Sequence, residues 1–585
     1  MNRQERRAAA RKSGNTPKSP AASAPGSLYA LGLAHLRSGR LIDAQACCQQ
    51  ALALDPVHAD SFFLMGLLAL EAGNCDHAVN WFVRALGQIV KLEYLVALGT
   101  VLQRLQRFDE ASKAFDKAVQ LKPDSPQAWK SLADALGNAG RTEESLVAWE
   151  QVLKLDASDK EAAYQCFEKR GHLLHGLKRF EEAIENHLKA HALDPTNPIP
   201  CNNMGASLQS LRRDEEALPW LDRVTALKPD FHTASRNKAV SLIALGRFDE
   251  AIAVLRHVRT HEPDNAEVEW DLSLLQLMAG DFEAGWAARE ARWRSRMRPA
   301  SYPHFSQAMW LGDAELEGKT VLIQEDEGLG DTLQFVRYVP MLAARGARVI
   351  LVVRDQLYPL LSDYPGVAEC IPQKSAGSLP PFDLHCPVCS LPFAFGTRLD
   401  TIPAAIPYLP APSADLVRAW QDRLDRQIGD REKLRVGLVW AGNPQHDNDH
   451  NRSIPLQTLL RITDQAAAFV SLQKDLRTGD DTLLAQSRII DLTSQLRDFA
   501  ETAALLSCLD LVITVDTSVA HLAGALGRPT WVLLPFVPDY RWLLNREDSP
   551  WYPTLRLFRQ RERGDWKPVI ERAGSELAGR IAARR

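Results

Sequence analysis

VALGTVLQRLQRFDEASKAFDKAVQLKPD, residues 96–124, decides the fold of the N-terminal half of the chain. Two amphipathic segments meet in it, and Gly99, Ala111 and Ala118 are small residues at which two paired helices can approach closely. Pro123 ends the pair because proline cannot continue a helix. The same residues recur at a period of about 34 on both sides of this stretch, which predicts that the helix pair is repeated.

The repeats continue as far as Pro263. The recurring positions outside residues 96–124 are Gly32, Ala44, Ala51 and Pro56, then Gly66, Ala78 and Ala85, then Gly171, Ala183, Ala190 and Pro195, then Gly205, Ala217 and Pro229, and then Ala239, Ala251 and Pro263. These are the helix-packing positions of a tetratricopeptide repeat, and we expect about eight units stacked in a solenoid with a concave groove. The alternative is a set of unrelated amphipathic helices that share a spacing.

The last unit, DFEAGWAAREARWRSRM at 281–297, is atypical because it carries Trp286 and Trp293 on one helical face, so we interpret it as a cap. Beyond it, apolar runs alternate with amphipathic segments, which is typical of a parallel α/β sheet. The predicted strands are TVLIQE and RVILVV in a first half, and RVGLVWAG, FVSLQK, IIDLT, DLVITV and PTWVLL in a second half. Two Rossmann-like halves predict a ligand cleft between them, as in a GT-B fold.

The sequence predicts four segments along the chain. These are a disordered basic tail at 1–24, the repeat array with its capping unit at 25–298, the first α/β half at 299–415, and the second half with a closing helix at 416–585. A chain of 585 residues needs several hydrophobic cores. Its net charge of -4 argues against nucleic acid as a main partner.

The N-terminal tail has no apolar region, and no apolar run is long enough for a transmembrane helix, so we expect a cytoplasmic protein. Nine scattered cysteines also favour a reducing compartment. Cys386 and Cys389 form the one CxxC motif, which we interpret as buried structural residues rather than a metal or redox site. EGKT at 317–320 resembles the end of a P-loop, but its glycine spacing and its place before a strand exclude that motif.

Three loops gather polar residues at predicted strand ends. In the first half, Gly328, Gly330 and Asp331 form a strand-to-helix turn, where the alternative role of Asp331 is a helix cap. In the second half, WAGNPQHDNDHNRS at 440–453 brings Asn443, Arg452 and Ser453 to a helix start that suits a diphosphate. Two alternatives for this loop are a metal site and a solvent-exposed loop without a ligand. The candidate metal ligands are His446, Asp447, Asp449 and His450.

The remaining candidates follow two later strands of the second half. Gln473 and Lys474 end the strand FVSLQK, so that the lysine is a second cation for the cleft. The segment VDTSVAHLAGALGRP is the most specific stretch, with four polar residues at a helix start, which capping alone does not explain. These four residues are Asp516, Thr517, Ser518 and His521.

The combination of EGLGDTLQF, WAGNPQHDNDHNRS, SLQKD and VDTSVAHLAGALGRP resembles bacterial tetratricopeptide proteins with a glycosyltransferase domain of the heptosyltransferase type. In plan the chain is also similar to O-linked N-acetylglucosamine transferases and flagellin glycosyltransferases. The resemblance implies that Asp331 is the general base on an acceptor hydroxyl. It implies that Arg452 binds the diphosphate, where heptosyltransferases often have lysine, and that the four residues of the last helix start contact the nucleotide and phosphates.

We therefore expect a glycosyltransferase that inverts the sugar configuration, uses a nucleotide-sugar co-substrate and needs neither metal nor other cofactor. The expected acceptor is a protein such as flagellin, held in the repeat groove, or alternatively a cell-envelope glycan. A repeat scaffold with a degenerate catalytic domain is the rival interpretation. Asn203, Asn237 and Asp271 occupy the same position in three consecutive repeats. Side chains aligned in this way predict a row on one wall of the groove that binds the backbone of an extended peptide. The alternative is that they cap loops or face solvent.

Overall fold

The computed structural model describes residues 24–156, 158–298, 302–446 and 448–584. Contacts divide the chain into two compact units, one up to Ala234 and one from Ser235 to the C-terminus. Residues 1–23 of the predicted basic tail lie outside the described ranges, as does Asp447 of the second-half loop. Within the described ranges, no helix combines the length and apolar character needed to cross a membrane.

Sixteen α-helices occupy the described part of the repeat region, as the 34-residue period predicts. They are α1 Pro25–Arg37, α2 Leu41–Leu54, α3 Ala59–Glu71, α4 Cys75–Leu86, α5 Leu92–Arg104, α6 Phe108–Leu121, α7 Pro126–Asn138, α8 Thr142–Leu155, α9 Lys160–Gly176, α10 Phe180–Leu193, α11 Pro198–Ser210, α12 Asp214–Leu227, α13 His232–Ala244, α14 Phe248–His261, α15 Ala266–Ala279 and α16 Phe282–Arg289. The helices α1 to α12 lie in the first unit, and α14 to α16 lie in the second. The chain is thus a helical tetratricopeptide solenoid before its α/β region.

Glycine positions explain how the helices of one repeat approach each other. A Cβ atom on Gly66 of α3 would lie 2.4 Å from the ring of Phe82 in α4. The same position in the next repeat is Gly99 of α5, where a Cβ would lie 2.6 Å from the ring of Phe115 in α6. Each aromatic ring therefore occupies the space that a side chain on the glycine would need, which confirms the predicted packing role of these small residues.

The second unit contains two all-parallel sheets. The strands of the first sheet are β1 Ala308–Met309, β2 Thr320–Gln324, β3 Arg348–Val353, β4 Val367–Pro372 and β5 Leu384–Pro387, and those of the second are β6 Arg435–Val439, β7 Ala468–Ser471, β8 Ile490–Asp491, β9 Leu511–Val515, β10 Thr530–Leu534 and β11 Leu555–Arg559. The intervening helices are α17 Leu329–Phe335, α18 Val339–Ala344, α19 Tyr358–Leu361, α20 Leu391–Ala394, α21 Ala414–Ile428, α22 Asp449–Arg452, α23 Leu456–Leu459, α24 Asp480–Gln486, α25 Phe499–Ser507, α26 Ser518–Ala525 and α27 Lys567–Arg584. The predicted α/β architecture with two halves is confirmed.

The order of the strands locates the ligand-binding edge of each sheet. The second sheet runs β11-β10-β9-β6-β7-β8, and numbering its own strands from β6 gives the order 3-2-1-4-5-6 of a Rossmann fold. Strands β7 and β8 are added on one side of β6, and β9 to β11 are added on the other side, so the order reverses between β6 and β9. The loops after these two strands form the crevice where ligands bind. The first sheet runs β1-β5-β2-β3-β4, and its reversal lies between β2 and β5.

The atypical last repeat packs onto the α/β region within the second unit. Trp286 of α16 is buried and lies with its ring 5.9 Å from Phe335, 5.8 Å from Tyr540 and 6.4 Å from Trp551. Arg289, the last residue of α16, donates two hydrogen bonds to the Glu327 carboxylate, at 2.7 and 2.6 Å. The helix α16 ends at Arg289 and β1 begins at Ala308, whereas the division of the chain by contacts falls earlier, after Ala234. The limit at 298 stays a prediction.

A second buried arginine reinforces this junction. Arg292 donates to Asp326 at 3.2 Å and to the Ser390 hydroxyl at 2.7 Å, and it is fully buried. Asp326 also accepts a hydrogen bond from the backbone N–H of Cys389. Cys386 and Cys389 are buried and carry free thiols, as expected for structural residues.

Candidate functional site

A cleft of about 360 Å³ lies between the two α/β halves, at the loops that the strand order identifies. From the first half it is lined by the start of α17, including Gly330 and Asp331. From the second half it is lined by the loop after β6, the start of α26 and the loop after β10. Of the predicted site residues, the cleft brings together Gly330, Asp331, Asn443, Arg452, Asp516, Thr517, Ser518 and His521.

The first turns of α17 and α26 are in direct contact across this cleft. A Cβ atom on Gly330 would lie 2.9 Å from His521 Cδ2 and 3.5 Å from Ser518 Cα. Only a residue without a side chain lets the two helices approach to this distance. Helix N-termini present unpaired N–H groups and a partial positive charge, so α26, with Thr517 as its N-cap, favours an anion in the cleft.

Asp331 is the first-half carboxylate of the cleft, and its side chain is 15% exposed. Its Oδ2 accepts a 2.9 Å hydrogen bond from the Gly328 N–H, so the side chain does cap α17 as the alternative interpretation held. Its Oδ1 accepts a hydrogen bond from Arg541 of the second half. Capping fixes the orientation of the carboxylate at the cleft wall and leaves it near both halves of the site.

Arg541 lies in the loop after β10 and makes several polar contacts in the cleft. Besides Asp331, it donates through Nη1 to Asp539 at 2.7 Å and through Nε to Gln334 at 2.8 Å. Burial, with a further contribution from Arg289, lowers the pKa of Arg541 to about 9. The guanidinium therefore still carries its charge at neutral pH.

Two further carboxylates sit on the second-half side. Burial raises the pKa of Asp516 above its usual range, although the charge of Arg452 opposes this shift. Burial and then the charge of Asp516 raise the pKa of Asp539 to about 7. Asp539 therefore changes its charge near neutral pH, in a cleft where anions are crowded.

The loop after β6 holds the second cation. A Cβ atom on Gly442 would lie 2.8 Å from Nε and 2.9 Å from Nη2 of Arg452, so glycine lets the guanidinium lie against the loop backbone. The Nε of Arg452 is buried and makes no hydrogen bond within the described part of the chain, although Asp449 lies 3.8 Å away. This placement suits an incoming phosphate.

Ser453 and Asp449 stabilise the same loop. The Ser453 hydroxyl accepts from the Gly442 N–H at 3.0 Å and donates to Asp449 at 2.8 Å. Arg477 donates to Asp449 and to Ser453, the latter at 2.9 Å. Asp449, one of the four candidate metal ligands of this loop, is thus already bonded to Ser453 and Arg477. Ser453 links the loop backbone to Asp449 and so stabilises the conformation of the loop.

His521 lies one turn into α26. Its ring stacks on Trp542 at 5.5 Å, and its Nδ1 shares a 2.9 Å hydrogen bond with the Tyr552 hydroxyl. Burial, followed by the charges of Arg337 and Arg452, lowers the pKa of His521 to about 3. The imidazole is therefore neutral at physiological pH, and it can offer a hydrogen bond to a ligand but not a charge.

Gln473 and Lys474 line a neighbouring cleft of about 450 Å³ that shares Asn443, Thr517 and Ser518 with the first. The Gln473 amide oxygen accepts from the N–H groups of Trp440 and Ala441, at 3.1 and 2.9 Å. Its amide nitrogen donates to a backbone carbonyl at 3.0 Å. Nucleotide binding by Gln473 stays a prediction, and its observed contacts are those of a residue that positions the loop after β6.

The three repeat residues differ in their surroundings. Asn203 is half-buried in α11 and accepts a 3.2 Å hydrogen bond from Asn202. Asn237 is half-buried in α13. Asp271 of α15 accepts a 2.5 Å hydrogen bond from Arg236, so its carboxylate is already paired. Acceptor binding by these residues stays a prediction, and Asp271 is the member whose charge is paired with an arginine.

The cleft residues that sequence reasoning did not single out include Glu327, Gly442, Asp539 and Arg541. A signal for two of them was present, since PFVPDYRW follows the predicted strand PTWVLL and places Asp539 and Arg541 beyond a strand end. Among the described residues, one cluster has metal-ligand types within reach of each other, formed by Asp326, Glu327 and Cys389. Its two carboxylates are paired with Arg292 and Arg289.

Comparison with known proteins agrees with this geometry. The model of glycosyltransferase family 9 (heptosyltransferase) matches residues 478–533, which include β9 and α26. Tetratricopeptide-repeat models match residues 29–89, 96–163 and 242–285. The chain therefore carries tetratricopeptide repeats and, in its second α/β half, a segment that matches glycosyltransferase family 9.

Among curated proteins, Protein FlbA of Caulobacter vibrioides is 26% identical over 575 residues, which cover 94% of this chain and 83% of FlbA. Protein O-mannosyl-transferase TMTC1 of Homo sapiens is 25% identical over 134 residues, 23% of this chain and 15% of that protein. Among solved structures, the C-terminal part of a repeat protein from Cytophaga hutchinsonii overlaps 42% of this chain and 99% of its own, with a TM-score of 0.36 and 12% identity.

Proposed function

We propose that this protein transfers a sugar from a nucleotide-sugar donor to an acceptor hydroxyl, and that the acceptor is a protein, such as flagellin, held by the repeats. A cell-envelope glycan is the alternative acceptor. The observation that carries the proposal is the cleft between the two halves. It combines a carboxylate on one wall with Arg452 and the first turn of α26 on the other, at the crevice of a Rossmann-type sheet.

In the proposed reaction, Asp331 takes the proton of the acceptor hydroxyl while the oxygen forms a bond to the anomeric carbon of the sugar. The bond between that carbon and the phosphate oxygen breaks, and the nucleotide leaves with the bonding electrons, as UDP or ADP from a diphosphate donor and as CMP from a CMP-sugar. Attack from the face opposite the leaving group inverts the configuration. The proton ends on Asp331 and passes to solvent after release of the product.

The second half stabilises the leaving group. Arg452 and the N–H groups at the start of α26 are fixed in place before the reaction, so they can interact with the charge that develops on the diphosphate. Thr517 and Ser518 line both clefts, and in this proposal they contact the donor between its sugar and its nucleoside. His521 contributes as a neutral hydrogen-bonding group, and Lys474 lies on the side of the neighbouring cleft.

The test is a comparison of purified wild-type protein with Asp331→Asn. We expect wild type to release free nucleotide from one of UDP-, ADP- or CMP-sugars when lysate of its host supplies the acceptor. Mass spectrometry should then find the sugar on a protein. Asparagine keeps the shape and the cap of α17 but cannot accept the proton, so transfer should fall roughly 100- to 10,000-fold.

Binding of the nucleotide should survive in Asp331→Asn, because a general base acts in the transition state. Transfer within a few fold of wild type would remove Asp331 from the reaction. Absence of turnover with every donor would favour the non-catalytic scaffold. Addition of a chelator should leave the rate unchanged, and inhibition by chelator would instead indicate a metal-dependent reaction.

A further inference from the structure

Arg541 joins the two halves of the cleft. It contacts Asp331, which is 210 residues away in sequence and lies in the first half, and Asp539 in its own loop. Its third donor, Nε, is held by the buried Gln334. The guanidinium is 10% exposed, so solvent does not offer it an alternative set of partners.

The contact with Asp331 conflicts with the proposed chemistry. A guanidinium bonded to a carboxylate favours its charged form and makes it a weaker base. The acceptor proton must nevertheless move to this carboxylate. Some step before the reaction must therefore weaken the pairing of Arg541 with Asp331.

The charges of the cleft point to the group that does this. Asp331, Asp516 and Asp539 face two cations, Arg452 and Arg541. The other nearby arginines are already paired, Arg289 with Glu327 and Arg354 with Glu325. A donor diphosphate adds negative charge to a site with few cations to meet it, so it competes with the resident carboxylates for Arg541.

We propose that Arg541 is a positioning residue shared between Asp331 and the donor diphosphate. It holds Asp331 in the cleft without donor and moves its Nη2 contact to a phosphate oxygen when the donor binds, which frees Asp331 to act as the base. The proposal rests on the proposed function and adds an order to it, since the donor must bind before the base is active.

Packing of the loop confines this change to the side chain. Tyr540, next to Arg541, lies under the guanidinium of Arg289 at 4.9 Å and against Trp286. The ring of Phe536, in the same loop, packs against Gly246, where an added Cβ atom would lie 2.9 Å from the ring. The backbone around Arg541 is therefore held by the last repeats while its guanidinium reaches the cleft.

The test is a double-mutant cycle on nucleotide affinity, measured by titration calorimetry with UDP, ADP and CMP, the nucleotides of the three candidate donors. The proteins are wild type, Asp331→Asn, Arg541→Gln and the double variant. If Asp331 competes with phosphate for Arg541, removing its charge should tighten binding of the preferred nucleotide at least about threefold. Arg541→Gln should weaken binding, and in that background Asp331→Asn should change the affinity less than about twofold.

Each other outcome has a defined meaning. Equal tightening by Asp331→Asn in both backgrounds would reflect general electrostatics and would overturn the sharing of Arg541, as would no tightening at all. If wild type binds none of the three nucleotides, the proposed function fails rather than this step alone. Should Arg541→Gln unfold, Arg541→Lys replaces it in the cycle, because lysine keeps the charge but lacks the fork that reaches both carboxylates.

Discussion

Gly330→Ala tests the contact between α17 and α26 that forms the cleft. The added Cβ would lie 2.9 Å from His521 Cδ2, whereas carbon atoms in contact are about 3.5–4.0 Å apart, so one helix must move by roughly 0.5–1 Å. The His521 ring cannot easily move away, because Trp542 stacks on it and the Tyr552 hydroxyl bonds its Nδ1.

Two opposing terms set the size of the effect. Overpacking typically costs about 1–3 kcal/mol, while replacing glycine by alanine in a helix gains about 1 kcal/mol. The free energy of unfolding should therefore fall by up to about 2 kcal/mol relative to wild type, and by about 1–3 kcal/mol relative to a variant that gains the helix propensity without the contact. A displacement of this size between the two walls should also lower the transfer rate roughly tenfold or more, since a 1 Å misplacement of reacting groups costs about 100-fold.

Gly579→Ala is the matched control. Gly579 lies inside α27 of the same unit, and nothing within 4 Å would meet its Cβ, so this variant should be as stable as wild type or more so and keep its activity. Calorimetric melting and donor turnover at saturating donor would compare the two variants. A Gly330→Ala protein that matches Gly579→Ala in both measurements would show that the two helix starts do not touch in solution.

Three further predictions concern single features. Arg452→Ala should weaken nucleotide binding by about 1.5–3 kcal/mol in calorimetry, and Lys474→Ala should also weaken it, because both cations line the clefts; unchanged affinities would place the nucleotide elsewhere. Burial lowers the pKa of His187 to about 4, so the unfolded chain binds more protons below pH 6.5 and stability falls as the pH drops towards 4. His187→Leu should remove this loss, and its advantage over wild type in thermal melting should grow between pH 7 and pH 4.5; a constant difference would contradict the assigned pKa. Replacing Asn203 and Asn237 together by Ala should raise the acceptor KM without changing donor affinity or melting temperature, and unchanged acceptor kinetics would exclude these residues as the docking site.

Local patterns in the sequence were sufficient for the elements of the fold. The repeat spacing predicted the helix pairs because the packing of Gly66 on Phe82 and Gly99 on Phe115 depends on residues 16 positions apart. The strands β2, β3, β6, β7, β9 and β10 were predicted because each is a short apolar run buried on both faces. Strand ends also gave most of the candidate site, since parallel strands bring their following loops to one edge.

Long-range pairing was not predictable in the same way. Arg541 meets Asp331 across 210 residues, and no periodicity in either segment indicates that the two are partners. Arg289 and Glu327 pair because the last repeat packs on the α/β region, whereas its sequence was interpreted only as a cap. Gln473 and Ser453 were predicted to bind the nucleotide, but which bonds their side chains make depends on backbone groups that the sequence does not locate.

The buried pairing of the last repeat with the α/β region also limits how such proteins can be rearranged. A protein cut at residue 298 would lack Arg289 and Arg292, leaving the buried Asp326 and the half-buried Glu327 without these counterions. It would also expose the aromatic surface that Trp286 covers. Chimaeras that exchange repeats between relatives should therefore join upstream of Ser235, where the contact division falls, so that the catalytic region and its last helices are inherited as one piece.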